Sequence, residues 1–250
     1  MSPGLKRAAL WLVIGVLIGG FMGAIFGGYA ADLRGDIARY RMEKRLRAEP
    51  TNAHVYARAN VELGDKTDKR LIIFGDSRAK GWSPVPRSSG LEALNRGIDG
   101  DTTAQMRLRL ESDVIAIAPD LVLILGGIND AIAAAGSGER RAARIVAAAG
   151  TNLNAICARL ETQGIEFQFF DIVPPLAPDA GDLALWGARV EPFAKAINKL
   201  VTAPGLPCAE HVLEIADLFI DTDGAPIAAH RRDALHWTPA AYRMLNARLP

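Results

Sequence analysis

Short apolar runs alternate with longer stretches of helical character from residue 71 onward. The apolar runs, which we predict to be β-strands, are 71–74, 121–125, 167–173 and 212–215. Helices are expected at about 103–117, 139–163 and 187–201, and from about residue 239. Apolar strands separated by helices of this length form mostly parallel sheets that are covered by helices on both faces. The pattern therefore predicts an α/β domain, which we place at residues 70–250.

The longest apolar stretch lies near the start of the chain, where no charged residue occurs from Ala8 to Ala31. At 1.5 Å per residue, a helix of this length covers roughly 36 Å, whereas the hydrocarbon core of a bilayer is about 30 Å thick. The apolar region of a cleavable signal peptide is usually only about 7–15 residues long. We therefore expect residues 1–31 to be a transmembrane anchor. A signal sequence cleaved near Gly28-Tyr29-Ala30 is the alternative.

Glycines recur at every fourth position within this apolar stretch. They are Gly15, Gly19, Gly23 and Gly27. On a membrane helix they would form a stripe of small residues along one face, which allows two helices to approach closely. The stripe favours a homodimer, but glycine is also simply common in membrane helices.

Residues 32–69 are rich in charge and are predicted to form a juxtamembrane helix and a linker. The charges on the two sides of the anchor conflict. Lys6 and Arg7 favour a cytoplasmic amino terminus, whereas the arginines and lysines at positions 34–47 favour the opposite orientation. Large domains cross membranes largely regardless of such charges. We therefore expect a single-pass protein of a bacterial-type inner membrane with its main domain outside the cytoplasm, and the charges leave the orientation open.

Charge and cysteine content exclude several classes of protein. The 29 basic and 28 acidic residues give a net charge of +1, so there is no electrostatic reason to expect a nucleic-acid partner. Two cysteines, Cys157 and Cys208, are too few for a disulfide scaffold or a four-thiolate zinc site. They are either two buried thiols or one disulfide, and a disulfide would require an oxidising compartment.

Residues capable of chemistry follow the predicted strands. Ser77 follows the first strand, Asn129 follows the second along the chain, and a glycine-containing loop at 95–102 lies between them. In open parallel sheets the ligand site lies at the carboxyl ends of the strands, so these residues are expected at one edge. Each motif by itself is also a common turn or helix cap.

A histidine that could act as a base lies near the carboxyl terminus. Asp233 precedes His236 by three residues and can orient its imidazole through Nδ1–H. His230 lies three residues before Asp233, so these three side chains could alternatively bind a metal. That interpretation leaves Ser77 unexplained, and we expect neither a metal nor a cofactor.

Four sequence blocks, taken in order, resemble those of the SGNH (GDSL) hydrolase family. The blocks are Gly75-Asp76-Ser77, Gly97–Thr102, Gly127-Ile128-Asn129-Asp130 and Asp233-Ala234-Leu235-His236. The resemblance covers residues 71–245. It implies a flavodoxin-like three-layer α/β/α sandwich, which one transmembrane helix would precede.

The chemistry of acyl transfer and this resemblance assign the same roles to these residues. Ser77 would be the nucleophile, His236 its base, and Asp233 the group that orients the base. The oxyanion would be bound by the N–H groups of Ser77 and Gly100 and by the side-chain amide of Asn129. Gly97 would replace Gly100 if the register of the loop differs. Asp130 is expected to be structural.

The expected function is that of a membrane-tethered serine esterase acting on small acyl esters, including O-acetyl groups of an envelope glycan. One alternative is an O-acyltransferase acting on a cell-envelope polysaccharide, because a sugar hydroxyl can replace water in the second step. Another is a catalytically silent, membrane-anchored binding module. Trp82, Trp186 and Trp237 are candidates for the wall of the substrate pocket, although core packing explains such residues as well.

Overall fold

The computed structural model describes residues 54–175, 182–223 and 225–249, together with residues 19, 20, 22 and 23. For residues 182–188 it describes the backbone alone. The chain divides into two units, Met1–Arg45 and Leu46–Pro250. The four described residues of the first unit are helical. No helix in the described part of the chain is both long enough and apolar enough to cross a bilayer. Most of the predicted anchor lies outside the described residues, as do Gly15 and Gly27 of the glycine stripe.

Strands and helices alternate through the larger unit. The strands are β1 (Lys69–Gly75), β2 (Leu91–Gly97), β3 (Leu121–Leu125), β4 (Glu166–Phe170) and β5 (Val212–Leu213). The α-helices of the described ranges are α1 (Ala57–Val61), α2 (Ser77–Lys80), α3 (Thr103–Asp113), α4 (Ile128–Ala135), α5 (Glu139–Thr162), α6 (Asp182–Val201) and α7 (Pro239–Asn246). Short 3₁₀ turns lie at Ile115–Ile117, Ala209–His211, Ala216–Leu218 and Ala228–His230.

The five strands form one parallel sheet in the order β2-β1-β3-β4-β5. This order, with β1 between β2 and β3, is the flavodoxin-like arrangement that the sequence predicts. In the observed register, Gly75 at the end of β1 lies opposite Gly97 of β2 and Leu125 of β3. The three strands therefore end at the same level, and the segments that follow them start side by side.

Both faces of the sheet are covered, so the predicted α/β sandwich is confirmed. Alternate residues of a strand point to opposite faces. On one face, Ile72 and Phe74 of β1 join a core that includes buried residues of α3, α4, α5 and α6. On the other face, Ile73 packs in a core with Trp82 and with Tyr242 of α7. Strands buried on both sides are almost continuously apolar, which is why β1 and β3 are visible in the sequence.

Three elements of the domain escape the sequence pattern: β2, α2 and α4. Strand β2 forms one edge of the sheet, and five of its seven residues are only partly buried. An edge strand does not need an apolar run, since much of its surface faces water. Helix α2 has only four residues, which is too short for a helical period to be recognised.

The described part of the predicted linker contacts the α/β domain. The Tyr56 hydroxyl donates a hydrogen bond to the Gly97 carbonyl at 2.5 Å, and Asn60 accepts one from Arg96 Nε at 2.9 Å. Asn60 also donates to the carbonyl of Ser112 in α3. Tyr56 and Asn60 thus contact the domain, although the sequence pattern places its start at residue 70.

Cys157 of α5 and Cys208 form a disulfide across a separation of 51 residues. Both residues are buried in the core on the same side of the sheet. Of the two states that the sequence leaves open, the structure contains the disulfide. Closing a loop of this length restricts the unfolded chain and stabilises the fold by about 4 kcal/mol.

Candidate active site

Ser77 lies where β1 turns directly into α2. Gly75 has φ +153°, and a Cβ atom there would lie 1.7 Å from the Leu125 carbonyl oxygen, so only glycine fits beside β3. Asp76 is the N-cap of α2, and its Oδ1 accepts a hydrogen bond from the Arg78 N–H at 2.9 Å. Ser77 is the first residue of the helix and is 9% exposed. The sharp turn brings the serine to the carboxyl edge of the sheet.

His236 and Asp233 form a hydrogen-bonded chain with this serine. His236 Nε2 lies 3.0 Å from Ser77 Oγ, and Nδ1 lies 3.0 and 2.9 Å from the two carboxylate oxygens of Asp233. When Nδ1–H donates to the carboxylate, Nε2 is left as the acceptor for the serine hydroxyl. The structure thus brings together three residues that are up to 159 positions apart in the chain.

The Asp233 carboxylate is held by the turn that also carries the histidine. Its Oδ1 accepts hydrogen bonds from the backbone N–H groups of Leu235 and His236, both at 2.8 Å. Burial raises the pKa of Asp233, but these backbone hydrogen bonds and the bond to the His236 ring together bring it below its usual value. Asp233 is therefore ionised at neutral pH and can stabilise an imidazolium.

The loop after β2 and the start of α4 are joined to each other. The side-chain amide of Asn129 donates to the Asp101 carbonyl at 2.9 Å, next to Gly100. An amide has two N–H groups, so Asn129 can donate a second hydrogen bond. Gly100, Asn129 and Ser77 lie just beyond the ends of β2, β3 and β1, which are adjacent in the sheet. The residues that the sequence proposes as oxyanion donors thus follow three neighbouring strands.

A buried arginine that the sequence analysis did not single out holds this loop. Arg109 of α3 is fully buried, and its guanidinium donates to Asp101 Oδ2 at 2.6 Å and to Asp113 Oδ2 at 3.2 Å. It also donates to the carbonyls of Gly75 at 2.9 Å and Arg96 at 2.8 Å. One side chain therefore ties together the ends of β1 and β2 and the loop that contains Gly100. The sequence feature that could have indicated a buried arginine is the position of Arg109 beside Leu110, on the apolar face of α3.

Asp130 of α4 makes a second set of buried hydrogen bonds, to the first residue of α3. Its two carboxylate oxygens accept hydrogen bonds from the backbone N–H and the hydroxyl of Thr103, both at 2.9 Å. Burial raises the pKa of Asp130 to about 6, against which the hydrogen bonds from Thr103 act. These contacts join α4 to the start of α3, which fits a structural role.

A small cavity is lined by the two residues that flank Ser77 in the sequence, but Ser77 and His236 are not among its lining residues. Its polar lining consists of Asp76, Arg78 and Asp171, and the Trp237 ring forms part of its apolar wall. Asp76 Oδ2 is buried without a hydrogen-bond partner. Burial raises the pKa of Asp76 to about 7, although the charge of Arg78 opposes the shift.

The three tryptophans differ in their surroundings. Trp82 is 1% exposed, packs against Phe170 and Tyr242, and donates from Nε1 to Asn246 Oδ1 at 2.7 Å. It is thus a core residue with no face open to a substrate, which corrects its expected place in a pocket wall. Trp237 is 4% exposed and belongs to the same core as Trp82, although it also lines the small cavity with Asp76 and Arg78, so its place in a substrate pocket stays a prediction. The side chain of Trp186 lies outside the described residues.

The alternative of a metal site finds no support in the described part of the chain, which contains no group of three His, Cys, Asp or Glu side chains able to hold an ion. His230, one of the three residues considered, has its Nδ1 2.5 Å from the Leu218 carbonyl oxygen. His236 is engaged by Ser77 and Asp233 instead.

Comparison with known proteins identifies the family. A family model described as GDSL-like Lipase/Acylhydrolase matches residues 73–244, which is more than half of the chain. The chain belongs to this GDSL-like lipase/acylhydrolase family. As a GDSL-like acylhydrolase it is an enzyme that hydrolyses ester bonds. The family resemblance and the α/β fold expected from the sequence are thereby confirmed.

One curated relative matches this GDSL-like hydrolase over a short segment. An acetylxylan esterase from Geobacillus stearothermophilus is 49% identical over 41 residues, which cover 16% of this chain and 19% of that protein. The matched segment thus spans about a fifth of the relative.

Solved structures show the same fold. A GDSL-like lipase from Bacteroides thetaiotaomicron superposes with a TM-score of 0.58 at 22% identity, covering 79% of this chain and 94% of that one. The acetyl xylan esterase AlAXEase superposes with a TM-score of 0.52 at 17% identity, covering 71% and 96%. At these identities the two structures support the GDSL-like fold alone.

Proposed function

We propose that this GDSL-like hydrolase cleaves small acyl esters, with Ser77 as nucleophile, His236 as general base and Asp233 as the group that orients the base. The observation that carries the proposal is the continuous hydrogen-bonded chain from Ser77 Oγ through His236 to the Asp233 carboxylate, with distances of 2.9–3.0 Å. A serine hydroxyl is a weak nucleophile at its own pKa, so it needs a base at this distance.

The reaction takes place in two steps. In the first, Ser77 Oγ attacks the ester carbonyl while its proton passes to His236 Nε2, and the resulting imidazolium is stabilised by Asp233. The tetrahedral intermediate collapses, His236 gives the proton to the leaving alcohol, and an acyl-enzyme remains on Ser77. In the second step, His236 Nε2 takes a proton from water while the water oxygen attacks the acyl carbon. The second tetrahedral intermediate then collapses, the bond between the acyl carbon and Ser77 Oγ breaks, His236 returns the proton to Oγ, and the carboxylic acid leaves.

Negative charge develops on the carbonyl oxygen in both steps. We assign its stabilisation to the backbone N–H groups of Ser77 and Gly100 and to the side-chain amide of Asn129. This assignment is supported by the adjacent strand ends and by the hydrogen bond from Asn129 to the Asp101 carbonyl. One such donor typically contributes about 3–4 kcal/mol to transition-state stabilisation.

Acetyl esters of a glycan are the substrate class that the comparisons favour. The short segment that is 49% identical belongs to a protein named as an acetylxylan esterase. His236 is half-buried, and its side chain is 26% accessible, so it is open to the water that the second step needs.

The test of this function uses the full chain in mild detergent and p-nitrophenyl acetate as the ester. Ser77→Ala removes the nucleophile, so kcat should fall at least about 10³-fold, and a fluorophosphonate probe should no longer label the protein. Ser137→Ala is the matched control, since that hydroxyl donates only to the Ala133 carbonyl within its own helix end. Undiminished turnover in Ser77→Ala would remove this serine from the chemistry.

We also propose that residues 1–31 anchor the enzyme in a membrane and that the hydrolase domain lies outside the cytoplasm. The support is the uncharged stretch Ala8–Ala31 and the disulfide between Cys157 and Cys208, which requires an oxidising compartment. Protease added to intact spheroplasts should therefore degrade the domain, whereas inverted inner-membrane vesicles should protect it. Protection in spheroplasts together with degradation in the inverted vesicles would contradict the proposed orientation.

A further inference from the structure

Arg78 directly follows the proposed nucleophile, yet its side chain turns away from solvent and reaches two distant segments. It is 4% exposed. Its Nε donates to the Leu235 carbonyl at 3.0 Å, and its Nη1 donates to the Val173 carbonyl at 2.6 Å. These acceptors lie 157 and 95 positions further along the chain. One side chain thus connects the helix of Ser77 to the turn that carries the base and to the segment after β4.

Few polar contacts join the turn from Asp233 to His236 to the helix of Ser77, although the end of the turn is also fixed by the Thr238 N–H, which donates to the His230 carbonyl at 3.1 Å, and by the packed Trp237 ring. Its internal hydrogen bonds, from the N–H groups of Leu235 and His236 to Asp233 Oδ1, define its local shape but not its distance from Ser77. The turn is at the surface, because the side chains of Asp233 and His236 are 45% and 26% exposed. Among the described residues, the hydrogen bonds from α2 to this turn are the one between Ser77 and His236 and the one from Arg78 to Leu235.

A second contact joins Arg78 to the other end of the turn. The guanidinium carbon lies 4.9 Å from the centre of the Trp237 ring, which is a cation–π distance. Trp237 is 4% exposed and stacks on Phe219 at 4.4 Å, so the ring itself is firmly packed. Arg78 therefore holds the residues on both sides of His236: Leu235 through its carbonyl and Trp237 through its ring.

Burying a guanidinium only to fill space would be energetically unfavourable. Removing this charge from water is unfavourable, and an apolar side chain of similar volume would pack there without that penalty. Among the described residues no carboxylate lies within ion-pair distance of Arg78, and its hydrogen-bond acceptors are neutral carbonyls, although the negative charges of Asp76 and Asp171 act on it from nearby. What the guanidinium offers and an apolar residue lacks is a rigid set of donors that reaches two backbone segments together.

We propose that Arg78 is a positioning residue for ester hydrolysis, which holds His236 at hydrogen-bond distance from Ser77 through the Leu235 carbonyl and the Trp237 ring. The inference rests on the proposed roles of Ser77 and His236. A base that is displaced by about 1 Å can lose about 10²-fold in rate even when the substrate still binds. Arg78 should therefore affect kcat far more than KM.

The experiment compares Arg78→Met with Lys80→Met in the full chain, using p-nitrophenyl acetate. Both changes replace a cation of α2 by methionine, but Lys80 is exposed and pairs with Asp99 at the surface. For Arg78→Met, kcat should fall about 10–100-fold while KM changes less than about threefold. The rate of fluorophosphonate labelling of Ser77 should fall by the same factor as kcat, because both need the base. Lys80→Met should leave both rates unchanged.

A second variant and a rescue experiment distinguish positioning from stability. Arg78→Lys keeps the charge but has one nitrogen for two carbonyls, so its kcat should lie between those of the wild type and Arg78→Met. In Arg78→Ala, added ethylguanidinium should restore part of the lost kcat. A wild-type kcat in Arg78→Lys, or in an Arg78→Met protein that is merely less stable, would overturn the inference.

The same assay separates this inference from the proposed function. If Ser77→Ala is inactive and Arg78→Met is fully active, the role of Arg78 is wrong while the nucleophile stands. If Ser77→Ala keeps its activity, the proposed function has failed, and the role of Arg78 fails with it.

Discussion

The two sides of Ser77 are built differently. On one side, which we call the oxyanion side, lie the loop at 98–102, α3 and the start of α4, where Asp101, Arg109 and Asp130 are almost completely buried. On the other, which we call the base side, lies the turn of Asp233 and His236, whose side chains are 45% and 26% exposed. Buried ion pairs hold the first side, whereas hydrogen bonds to backbone groups hold the second.

This difference follows from what each side is proposed to do. Oxyanion donors stabilise charge best when they are held rigidly and shielded from water, since they then need no rearrangement during the reaction. A general base must instead pass protons to a leaving alcohol and receive them from water, so it needs access to solvent. Buried charge is therefore concentrated beneath the oxyanion side, whereas the base side is more exposed and is joined to the helix of Ser77 by the hydrogen bonds of Ser77 and Arg78.

The largest expected effect is on stability and tests the rigidity of the oxyanion side. Arg109→Met removes the guanidinium that pairs with the buried carboxylates of Asp101 and Asp113, so the free energy of unfolding should fall by about 3–5 kcal/mol. Urea unfolding followed by tryptophan fluorescence measures the change.

Arg107→Met is the matched control for Arg109→Met, because it makes the same change on the exposed face of α3. It should alter the free energy of unfolding by less than about 0.5 kcal/mol. Equal effects of the two changes would mean that the oxyanion side is not held by its buried charges.

A smaller expected effect concerns catalysis on the oxyanion side. Asn129→Ala removes a proposed oxyanion donor, so kcat should fall about 10²–10³-fold with little change in KM, which exceeds the loss expected for Arg78→Met. Steady-state kinetics with p-nitrophenyl acetate measures this. Asn154→Ala is the control, since the Asn154 side chain forms hydrogen bonds only with backbone groups of α5, α6 and Cys208 among the contacts described and has no proposed role in the reaction. A loss in Asn129→Ala smaller than tenfold would reject Asn129 as a donor.

The smallest effect is a pH dependence of stability that differs between the two sides. Burial raises the pKa of Asp130 to about 6 in the folded protein, above its usual value of 3.8. Its contribution to stability is therefore complete below about pH 4 and is lost as the pH rises through 6. Asp233 has a lowered pKa, so its contribution is present above its usual pKa and is lost only as the pH falls below about 4.

Urea unfolding between pH 4 and pH 7 distinguishes these cases. In the wild type, the free energy of unfolding should fall by about 1–3 kcal/mol between pH 4 and pH 7 because of Asp130, and Asp130→Asn should lose this part of the fall. Asp76, whose pKa is about 7, should still make the free energy of unfolding fall with pH in the variant. Asp233→Asn should keep the full slope. If the difference in stability between Asp130→Asn and the wild type does not vary with pH, the raised pKa is contradicted.

The apolar strands were the most predictable part of the fold. Strands β1 and β3 are visible as continuous apolar runs because both of their faces are buried. The predicted helix at 103–117 is real but ends as an α-helix at Asp113, and a 3₁₀ turn at Ile115–Ile117 completes it. Strand β2 was not predictable, because its identity as a strand depends on pairing with β1 rather than on its own residues.

In the candidate site, the residues with chemical function were easier to recognise than those that support them. Ser77, Asn129, Asp233 and His236 belong to short motifs with a fixed local spacing. Neither Arg78 nor Arg109 takes part in the proposed proton transfers or in binding the oxyanion. A guanidinium can be buried only where several hydrogen-bond acceptors from distant segments meet. The sequence does not reveal such meeting points. Whether Cys157 and Cys208 are bonded is a similar case, because it depends on how α5 and the segment after α6 pack.

The linear chain by itself determined the alternating α/β pattern, the order of the motifs and the kinds of groups available for acyl chemistry. These properties are local: they depend on residue type and on spacing within a few turns of helix or one strand. Only the tertiary structure decided that Ser77 and His236 lie 3.0 Å apart, that Trp82 is a core residue, and that Arg78 and Arg109 are buried. The reason is physical: distances across 159 positions are set by strand register and by the packing of a shared core.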